Sequence, residues 1–457
     1  MDLLKKIQQK KACVGVIGLG YVGLPLAVEL AKAGYSVTGI DLDAEKVAQI
    51  QQGHSYIMDV PPDDIAMLVR QGRLTAVTDY EAITRLDTVS ICVPTPLTKT
   101  KDPDVSYIVT AVDGLEKYMH PGMLIILEST TYPGTTEELV KARLDKLGYQ
   151  VGVDYFICFS PERVDPGNAK YNTKNTPKVI GGATPQCLAL GTELYSSFLP
   201  SIVQVSSPRV AEMVKLLENT FRSVNIGLVN ELALMCDRMG VDVWEVIDAA
   251  STKPFGYMPF YPGPGIGGHC IPLDPMYLAW KAKTFDFYNR FIELASDVNG
   301  NMPRHVLHKI SEVLNTRKKC LNGSKVLLLG MAYKKDIDDL RESPGLEIYR
   351  LLKEQGAVVE YSDPLVASFR EGTAVVRSVP LTEQNLADYD IAVLCTNHSA
   401  FDYQWIARYA QLILDTRNAF RGIKGSHIYK IGSGECGRAG EELAKQAAVQ
   451  EAAAGKE

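Results

Sequence analysis

The sequence lacks several features that would assign a protein to a particular class. None of its 457 residues belongs to a run of about 18 apolar residues, the length that a membrane-spanning helix needs. The first residues, MDLLKKIQQKK, contain no apolar core of a secretory signal. The nine cysteines include no CxxC pair, so neither a disulfide framework nor a zinc ribbon is predicted. The formal charge of -6 argues against a general nucleic-acid binder. We therefore expect a cytoplasmic protein with no membrane, nucleic-acid or metal partner.

A glycine-rich turn joins the first apolar run to the first helical stretch. It reads Gly18-Leu19-Gly20-Tyr21-Val22-Gly23, and Asp41 ends the next apolar run. This order is the dinucleotide-binding fingerprint, in which the glycines allow a tight bend, the approach of a pyrophosphate and close packing of helix on strand. Asp41 can accept hydrogen bonds from a ribose 2′-hydroxyl and would repel a 2′-phosphate, so NAD is predicted rather than NADP.

Apolar strands alternate with helices in the first part of the chain. Strands are predicted at residues 14–17, 36–40, 88–93, 123–127, 156–159 and 178–180. Several are continuously apolar, as expected of parallel strands buried on both faces. The pattern returns after residue 324, with strands predicted at 326–329, 358–361, 391–395 and 412–414. There the glycine fingerprint is missing, because Gly330 is followed by MAYKK, so a different phosphate-bearing ligand is expected.

A long helix is predicted between these two regions, at residues 208–239. Apolar residues recur there at helical spacing, Pro208 suits the first turn, and Gly240 suits the end. The expected fold is therefore α/β, with two doubly wound, Rossmann-like parallel-sheet domains joined by a long central helix. Since its apolar positions occupy several faces, this helix should also form a homodimer or a higher homo-oligomer.

A second glycine-rich loop carries a thiol. In Gly263-Pro264-Gly265-Ile266-Gly267-Gly268-His269-Cys270, four glycines precede Cys270, and Asp274 follows four residues later. A cysteine is usually a small buried apolar residue, but glycine loops seldom build cores. An NAD enzyme that oxidises an alcohol to an acid needs a nucleophile to hold the aldehyde, and a thiolate does this as a thiohemiacetal and then a thioester. We therefore predict that Cys270 is catalytic.

The central helix offers a cation near such a site. Lys215, Asn219 and Arg222 are spaced so that they share one face of the helix. From the pattern alone, this face is either functional or a solvated polar stripe.

Five motifs occur in order along the chain: GLGYVG, FSPER, AEMVKLLENTF, GPGIGGHC and the segment from Lys334 to Ser343. Together they resemble the UDP-glucose/GDP-mannose dehydrogenase family of nucleotide-sugar 6-dehydrogenases, over about residues 12–430. The resemblance implies oxidation of the sugar C6 hydroxymethyl group to a carboxylate, with two NAD reduced per turnover. It divides the chain into an NAD-binding domain (1–205), a central dimerising region with the cysteine loop (206–315) and a nucleotide-sugar domain (316–436). The polar tail (437–457) is rich in Ala, Glu and Lys and has no aromatic residue, so we expect it to be flexible.

The resemblance also implies roles for individual residues. Cys270 is expected to be the nucleophile, Lys215 and Asn219 to stabilise oxyanions and contact the sugar, Asp274 with Thr130 to activate water, and Glu162 to assist acid and base steps. Besides the glycine turn and Asp41, the expected cofactor contacts are Lys46, Thr95, Thr130 and Arg341. The expected substrate contacts are Glu162, Arg163, Lys215, Asn219, Tyr261, Gly265, Gly268, Lys334 and Arg417.

The identity of the sugar is suggested by departures from part of the family. UDP-glucose enzymes usually have phenylalanine where Ile266 stands and lysine where Leu273 stands. The strings HCIPLDP and SPERVDPGN are more similar to enzymes for UDP-N-acetylhexosamines. We expect UDP-N-acetylglucosamine, oxidised for surface-polysaccharide synthesis, with UDP-glucose or UDP-N-acetylmannosamine as alternatives. A two-electron hydroxyacid dehydrogenase and a non-enzymatic NAD sensor are the remaining alternatives.

Overall fold

The structure is a computed structural model, which describes residues 2–57, 60–98, 100, 102–163, 170, 171, 173 and 175–434. The predicted tail (437–457) and residues 164–168 of the SPERVDPGN string lie outside the described residues. The chain forms two compact units. The first contains the described residues up to Asn219 together with Leu273–Tyr288, and the second contains Thr220–Pro272 and the described residues from Asn289 onward.

Helices occur throughout both units. They are α1 (Leu3–Gln8), α2 (Gly23–Lys32), α3 (Ala44–Gln51), α4 (Pro62–Arg70), α5 (Ser106–Tyr118), α6 (Ala142–Leu144), α7 (Pro185–Ser196), α8 (Pro208–Met239), α9 (Val243–Ala250), α10 (Asp274–Lys283), α11 (Arg290–Asn315), α12 (Pro344–Glu354), α13 (Glu383–Asp388) and α14 (Tyr403–Tyr409). A π-helical turn (Thr136–Lys141) leads into α6, and short 3₁₀ helices lie at Tyr80–Arg85 and Asp145–Leu147.

The strands of the first unit form one sheet. They are β1 (Cys13–Ile17), β2 (Ser36–Ile40), β3 (Leu74–Val77), β4 (Thr88–Ile91), β5 (Met123–Leu127), β6 (Tyr155–Phe159), β7 (Lys178–Gly182) and β8 (Ile202–Val205). In the described part of the chain their order is β3-β2-β1-β4-β5-β6-β7-β8, and neighbours are parallel except β6 and β7. The order reverses at β1, which is where a doubly wound sheet keeps its ligand.

Both faces of this sheet are covered, which explains its uninterrupted apolar strands. All five residues of β5 are buried: Leu124 and Ile126 pack in one core cluster, and Met123, Ile125 and Leu127 in another. Alternate side chains of a strand point to opposite faces, so a strand between two layers of helices must be apolar at every position.

The second unit contains a five-stranded parallel sheet and a hairpin. Its strands are β9 (Lys325–Leu329), β10 (Val358–Ser362), β11 (Ser368–Glu371), β12 (Ala374–Arg377), β13 (Ile391–Leu394), β14 (Ile413–Asp415) and β15 (Ile428–Lys430). In the described residues the parallel order is β10-β9-β13-β14-β15, and β11 pairs antiparallel with β12. The predicted fold class, two doubly wound sheets with a long helix between them in the chain, is confirmed.

The central helix α8 begins and ends where its sequence predicts. The hydroxyl of Ser207 accepts a hydrogen bond from the Val210 backbone N–H (3.3 Å), and Gly240 has a positive φ of 68° just after the last turn. A Cβ atom at Gly227 would lie 3.2 Å from the Ala295 backbone, so this glycine lets α8 and α11 cross closely.

Five strands were not predicted from the sequence: β3, β8, β11, β12 and β15. They are three or four residues long, and most of their side chains are partly or fully exposed. A short strand with few buried residues lacks the continuous apolar run that identified the central strands. Among the described residues, none of the helices combines the length and the apolar character that a membrane span requires.

Candidate active site

The turn between β1 and α2 has the backbone geometry of a dinucleotide site. Gly18 has a φ of +87°, and a Cβ atom there would lie 2.7 Å from the Cys92 carbonyl oxygen. A Cβ atom at Gly23 would lie 1.8 Å from the Gly18 carbonyl oxygen, so only glycine lets α2 start so near the turn. Val22, which is half-buried, precedes α2. At Gly20 no described atom lies within 4 Å of the Cβ position, which leaves room for a pyrophosphate beside the helix end.

Asp41 lies directly after β2 and is hydrogen-bonded to the same turn. Its Oδ2 accepts a hydrogen bond from the Leu19 backbone N–H (2.8 Å), and its Oδ1 accepts one from the Asp43 N–H (3.0 Å). Lys46 Nζ is 3.9 Å from Oδ2, and the Tyr21 side chain is exposed beside the turn. Each carboxylate oxygen has a second lone pair, so a ribose hydroxyl can still bind. These residues fit NAD.

Lys215 and Asn219 lie one turn apart on α8, and both are buried. Lys215 Nζ donates a hydrogen bond to the Glu162 carbonyl oxygen (2.6 Å). The Asn219 amide donates to the carboxylate of Asp274, which is also buried. Because these polar groups face the interior, the alternative of a solvated stripe is wrong for them. Arg222, the third residue of the predicted face, is half-buried.

Asp274 is the first residue of α10, and two contacts of this helix hold it in place. The Tyr277 hydroxyl donates to the Thr95 carbonyl oxygen (2.6 Å), directly beyond the end of β4. The ring of Trp280 packs on that of Tyr132, with centroids 5.0 Å apart. Thr95 itself is buried, and its role as a cofactor contact stays a prediction.

Glu162 and Thr130 follow the carboxyl ends of the adjacent parallel strands β6 and β5. The Arg163 backbone N–H donates to Glu162 Oε1 (2.8 Å), and the Arg163 guanidinium donates to Glu218 Oε1 (2.6 Å) and to the Pro177 carbonyl oxygen (2.7 Å). Thr130 is half-buried. The roles of Thr130 in water activation and of Arg163 in substrate binding stay predictions.

A buried charge cluster next to Glu162 was missed from the sequence. Lys178 Nζ donates to Glu128 Oε2 (2.6 Å) and to Glu162 Oε2 (3.2 Å), and the Tyr195 hydroxyl donates to the other oxygen of Glu128. The one signal was a lysine at the start of an otherwise apolar buried strand, β7. Charged residues are almost never fully buried unless they are paired.

The candidate nucleophile lies in a glycine loop of the second unit. Cys270 is half-buried. Gly268 has a φ of +84°, its Cβ position is 2.7 Å from the Tyr333 ring, and its N–H donates to the Arg341 carbonyl oxygen (2.9 Å). Burial, and then the charge of Arg341, lower the pKa of His269, so this neighbour of the thiol is neutral at pH 7.

Arg417 packs against the start of the same loop. A Cβ atom at Gly263 would lie 2.6 Å from its guanidinium, and Arg417 Nε donates to the Cys395 carbonyl oxygen (3.0 Å). Burial lowers the pKa of Arg417, although a guanidinium remains protonated at neutral pH. The Gly263 N–H donates to Asn230 Oδ1 (3.0 Å), and a Cβ atom at Gly265, φ +140°, would meet a proline ring at 3.2 Å. These glycines are therefore needed for packing within the protein.

The other expected ligand contacts of the second unit lie on loops. Lys334 is half-buried after β9, and Arg341 is exposed, with its guanidinium paired to Asp339 (2.6 Å). Tyr261 stacks on Trp244, with ring centroids 5.9 Å apart. The roles of these residues in binding cofactor or substrate stay predictions.

The second sheet has a turn like that of the first, but its acidic residue is engaged differently. Asp363 follows β10 as Asp41 follows β2, and its Oδ2 accepts a hydrogen bond from the Met331 N–H (2.6 Å) beside Gly330. The same oxygen lies 3.2 Å from Nε2 of the fully buried His398, where a ribose hydroxyl would otherwise bind. Among the described residues, no cluster of His, Cys, Asp and Glu side chains could hold a metal ion.

Three models of one family match successive parts of the chain. The NAD-binding domain of the UDP-glucose/GDP-mannose dehydrogenase family matches residues 12–199. The central domain of that family matches residues 209–301, and its UDP-binding domain matches residues 327–422.

Individual relatives are similar over most of their length. UDP-N-acetyl-D-glucosamine 6-dehydrogenase of Pseudomonas aeruginosa is 35% identical over 390 residues, which cover 85% of this chain and 91% of that protein. NDP-N-acetyl-D-galactosaminuronic acid dehydrogenase of Ralstonia solanacearum is 36% identical over 420 residues, 88% of this chain and 95% of that protein. The solved structure of UDP-D-ManNAc dehydrogenase from Pyrococcus horikoshii superposes with a TM-score of 0.85 at 33% identity, covering 93% of this chain and 100% of that one.

Proposed function

Because the chain belongs to the UDP-glucose/GDP-mannose dehydrogenase family, and is thus an NAD-dependent nucleotide-sugar 6-dehydrogenase, we propose that it oxidises a UDP-N-acetylhexosamine. UDP-N-acetylglucosamine is the favoured substrate, and the product is the corresponding uronic acid. This membership rules out the alternatives of a hydroxyacid dehydrogenase and a non-enzymatic NAD sensor.

The choice of sugar rests on the relatives and on two residues. Two of the three relatives described above are named for UDP-linked N-acetylhexosamines, and the third is named for NDP-N-acetyl-D-galactosaminuronic acid. Ile266 and Leu273 also replace the phenylalanine and lysine usual in UDP-glucose enzymes. UDP-N-acetylmannosamine is the second candidate, since the Pyrococcus horikoshii enzyme is named for it.

The chemistry assigned to the chain centres on Cys270. Bound NAD supplies the hydride acceptor for both oxidations. The first oxidation removes a hydride from C6 and a proton from its hydroxyl group, which gives an aldehyde. The Cys270 thiolate adds to this aldehyde, so that a C–S bond forms and the carbonyl oxygen becomes an oxyanion. Loss of a hydride from C6 converts this adduct to a thioester. Attack by water then breaks the C–S bond, and releases the carboxylic acid and the thiol.

The buried polar groups of the first unit carry this proposal, because their donors and acceptors match its steps. Lys215 and Asn219 present an ammonium and an amide on one buried face of α8. Preorganised donors of this kind can lower a barrier by about 3–4 kcal/mol each. Asp274, held by Asn219, would position water with Thr130, and Glu162 would accept a proton from that water.

The experiment is a screen of NAD reduction with UDP-glucose, GDP-mannose and the UDP derivatives of N-acetylglucosamine, N-acetylgalactosamine and N-acetylmannosamine. We expect the highest kcat/KM with UDP-N-acetylglucosamine and two NADH per sugar consumed. The Cys270→Ser variant should stall before free acid, whereas the control Cys320→Ser, at an exposed cysteine, should behave as wild type. One NADH per sugar together with an active Cys270→Ser variant would overturn the mechanism, and preference for another sugar would overturn the assigned substrate.

A further inference from the structure

Lys178 occupies an unusual place for a lysine. It is the first residue of β7, an otherwise apolar strand in the sheet of the first unit, and it is 4% exposed. An ammonium group removed from water is costly unless charged partners compensate for the lost hydration. The partners of Lys178 therefore show why the residue is tolerated there.

Two carboxylates share this ammonium group. Nζ lies 2.6 Å from Glu128 Oε2 and 3.2 Å from Glu162 Oε2. Glu128 directly follows β5 and its side chain is fully buried, whereas the side chain of Glu162 keeps 14% of its exposure. Lys178 thus links Glu128, a carboxylate of the core, to Glu162, the carboxylate to which the proposed function assigns proton transfer.

Burial raises the pKa of Glu128, and the charge of Lys178 opposes that shift. Burial lowers the pKa of Lys178, but Glu128 and Glu162 outweigh it and raise the pKa overall, so the lysine stays charged. Burial, and then the charge of Glu128, raise the pKa of Tyr195, which remains a donor to that carboxylate. The same two causes raise the pKa of Cys92, which remains a thiol.

Two other cations face Glu162 but are engaged differently. Lys215, on α8, donates to the carbonyl oxygen of Glu162. The Arg163 guanidinium donates to Glu218, and the Arg163 backbone N–H donates to Glu162 Oε1. The ammonium of Lys178 contacts the other carboxylate oxygen, Oε2.

We propose that Lys178 is a positioning residue, which orients the Glu162 carboxylate and keeps it ionised so that it can accept a proton during turnover. This inference rests on the proposed role of Glu162. Glu128 acts as the counter-charge that holds the ammonium group, and Tyr195 orients Glu128 from α7.

The test is the pH profile of kcat for the Lys178→Met holoenzyme with the preferred nucleotide sugar. Removing a cation in contact with a carboxylate favours its protonated form, so the acidic limb should move to higher pH by about 1–3 units. Below the shifted limb, kcat should fall by about tenfold per pH unit and recover at higher pH, while KM changes less than about twofold. If Lys178 were purely structural, its substitution would lower the stability of the protein without moving the acidic limb of the pH profile.

Two further variants keep the test decisive if Lys178→Met does not fold. Lys178→Met/Glu128→Gln removes the cation with its buried counter-charge, and should show the same upward shift. In Glu128→Gln the Lys178 ammonium has Glu162 as its remaining carboxylate partner. The acidic limb of this variant should therefore move to lower pH. Lys309→Met is the matched control, because Lys309 is a buried lysine beside Asp237 (3.4 Å) in the second unit, and its pH profile should not change.

An unchanged acidic limb in the folded Lys178 variants, or in Glu128→Gln, would overturn the inference. The number of NADH formed per sugar, measured on the wild-type preparation, separates this outcome from failure of the proposed function. Two NADH with an unmoved limb would reject only the role of Lys178. One NADH would reject the four-electron mechanism.

Discussion

At the residue scale, Asn219 links the stability of the protein to its proposed chemistry. Its amide is fully buried on α8 and donates to the Asp274 carboxylate, itself almost fully buried. A buried carboxylate needs donors in place of water, and the same donor fixes its direction. One side chain would therefore serve both the folded state and the proposed site.

The Asn219→Ala variant should lose stability as well as activity. Removing a donor from buried Asp274 should lower the free energy of unfolding by about 1–3 kcal/mol, measured by urea titration. If Asn219 also stabilises an oxyanion, kcat should fall by about 100-fold or more. The control is Asn225→Ala on the same helix, where an exposed amide bonds to the Phe221 carbonyl oxygen. Equal stability and kcat for both variants would contradict this account.

Some site residues could be predicted because their signals are local in sequence. Gly18–Gly23, Asp41 and the cysteine loop each form a recognisable string, and the structure gives the glycine turn the expected geometry. Lys178 could not be predicted, because its partner Glu128 is 50 residues away and only the order of the strands brings them together. The glycines near Cys270 are explained by packing on Tyr333 and Arg417, which no local string reveals.

At the element scale, continuous apolar runs identified the central strands because both of their faces are buried. The edge strand β8 was not predicted, since none of its four residues is buried. In α8 the sequence pattern was clear, but the structure adds that many of the apolar side chains on this helix are exposed in the single chain. They are Val210, Met213, Leu217, Phe221, Leu228, Met235 and Met239.

This exposed face supports the prediction that α8 pairs with a second copy of the chain. Over 32 residues the helix is roughly 48 Å long, and large apolar patches of soluble proteins often mark interfaces. Wild type should have at least the mass of a dimer by light scattering at micromolar concentration, and Leu217→Asp/Leu228→Asp should be monomeric. The control Val153→Asp/Val375→Asp changes exposed valines elsewhere and should keep the wild-type mass. A monomeric wild type would rule out the dimer.

At the scale of the whole molecule, one architecture is used twice with different chemistry. The first sheet keeps the glycine turn and an Asp41 that a ribose hydroxyl can reach. In the second sheet, the corresponding Asp363 lies against His398. The chain carries a net charge of -6, so an anionic substrate has to meet locally placed cations. Lys334 and Arg417, both in the unit that contains the UDP-binding match, are the candidates.

The central claim is that Cys270 carries the sugar as a covalent adduct. The most direct measurement is the mass of the Glu162→Gln variant, quenched in acid after mixing with NAD and UDP-N-acetylglucosamine, followed by peptide mapping. Since Glu162 is assigned to thioester hydrolysis, this variant should accumulate the adduct on the peptide that contains Cys270. Formation of free uronic acid by a Cys270→Ser variant at the wild-type rate, with no adduct on that peptide in Glu162→Gln, would contradict the account.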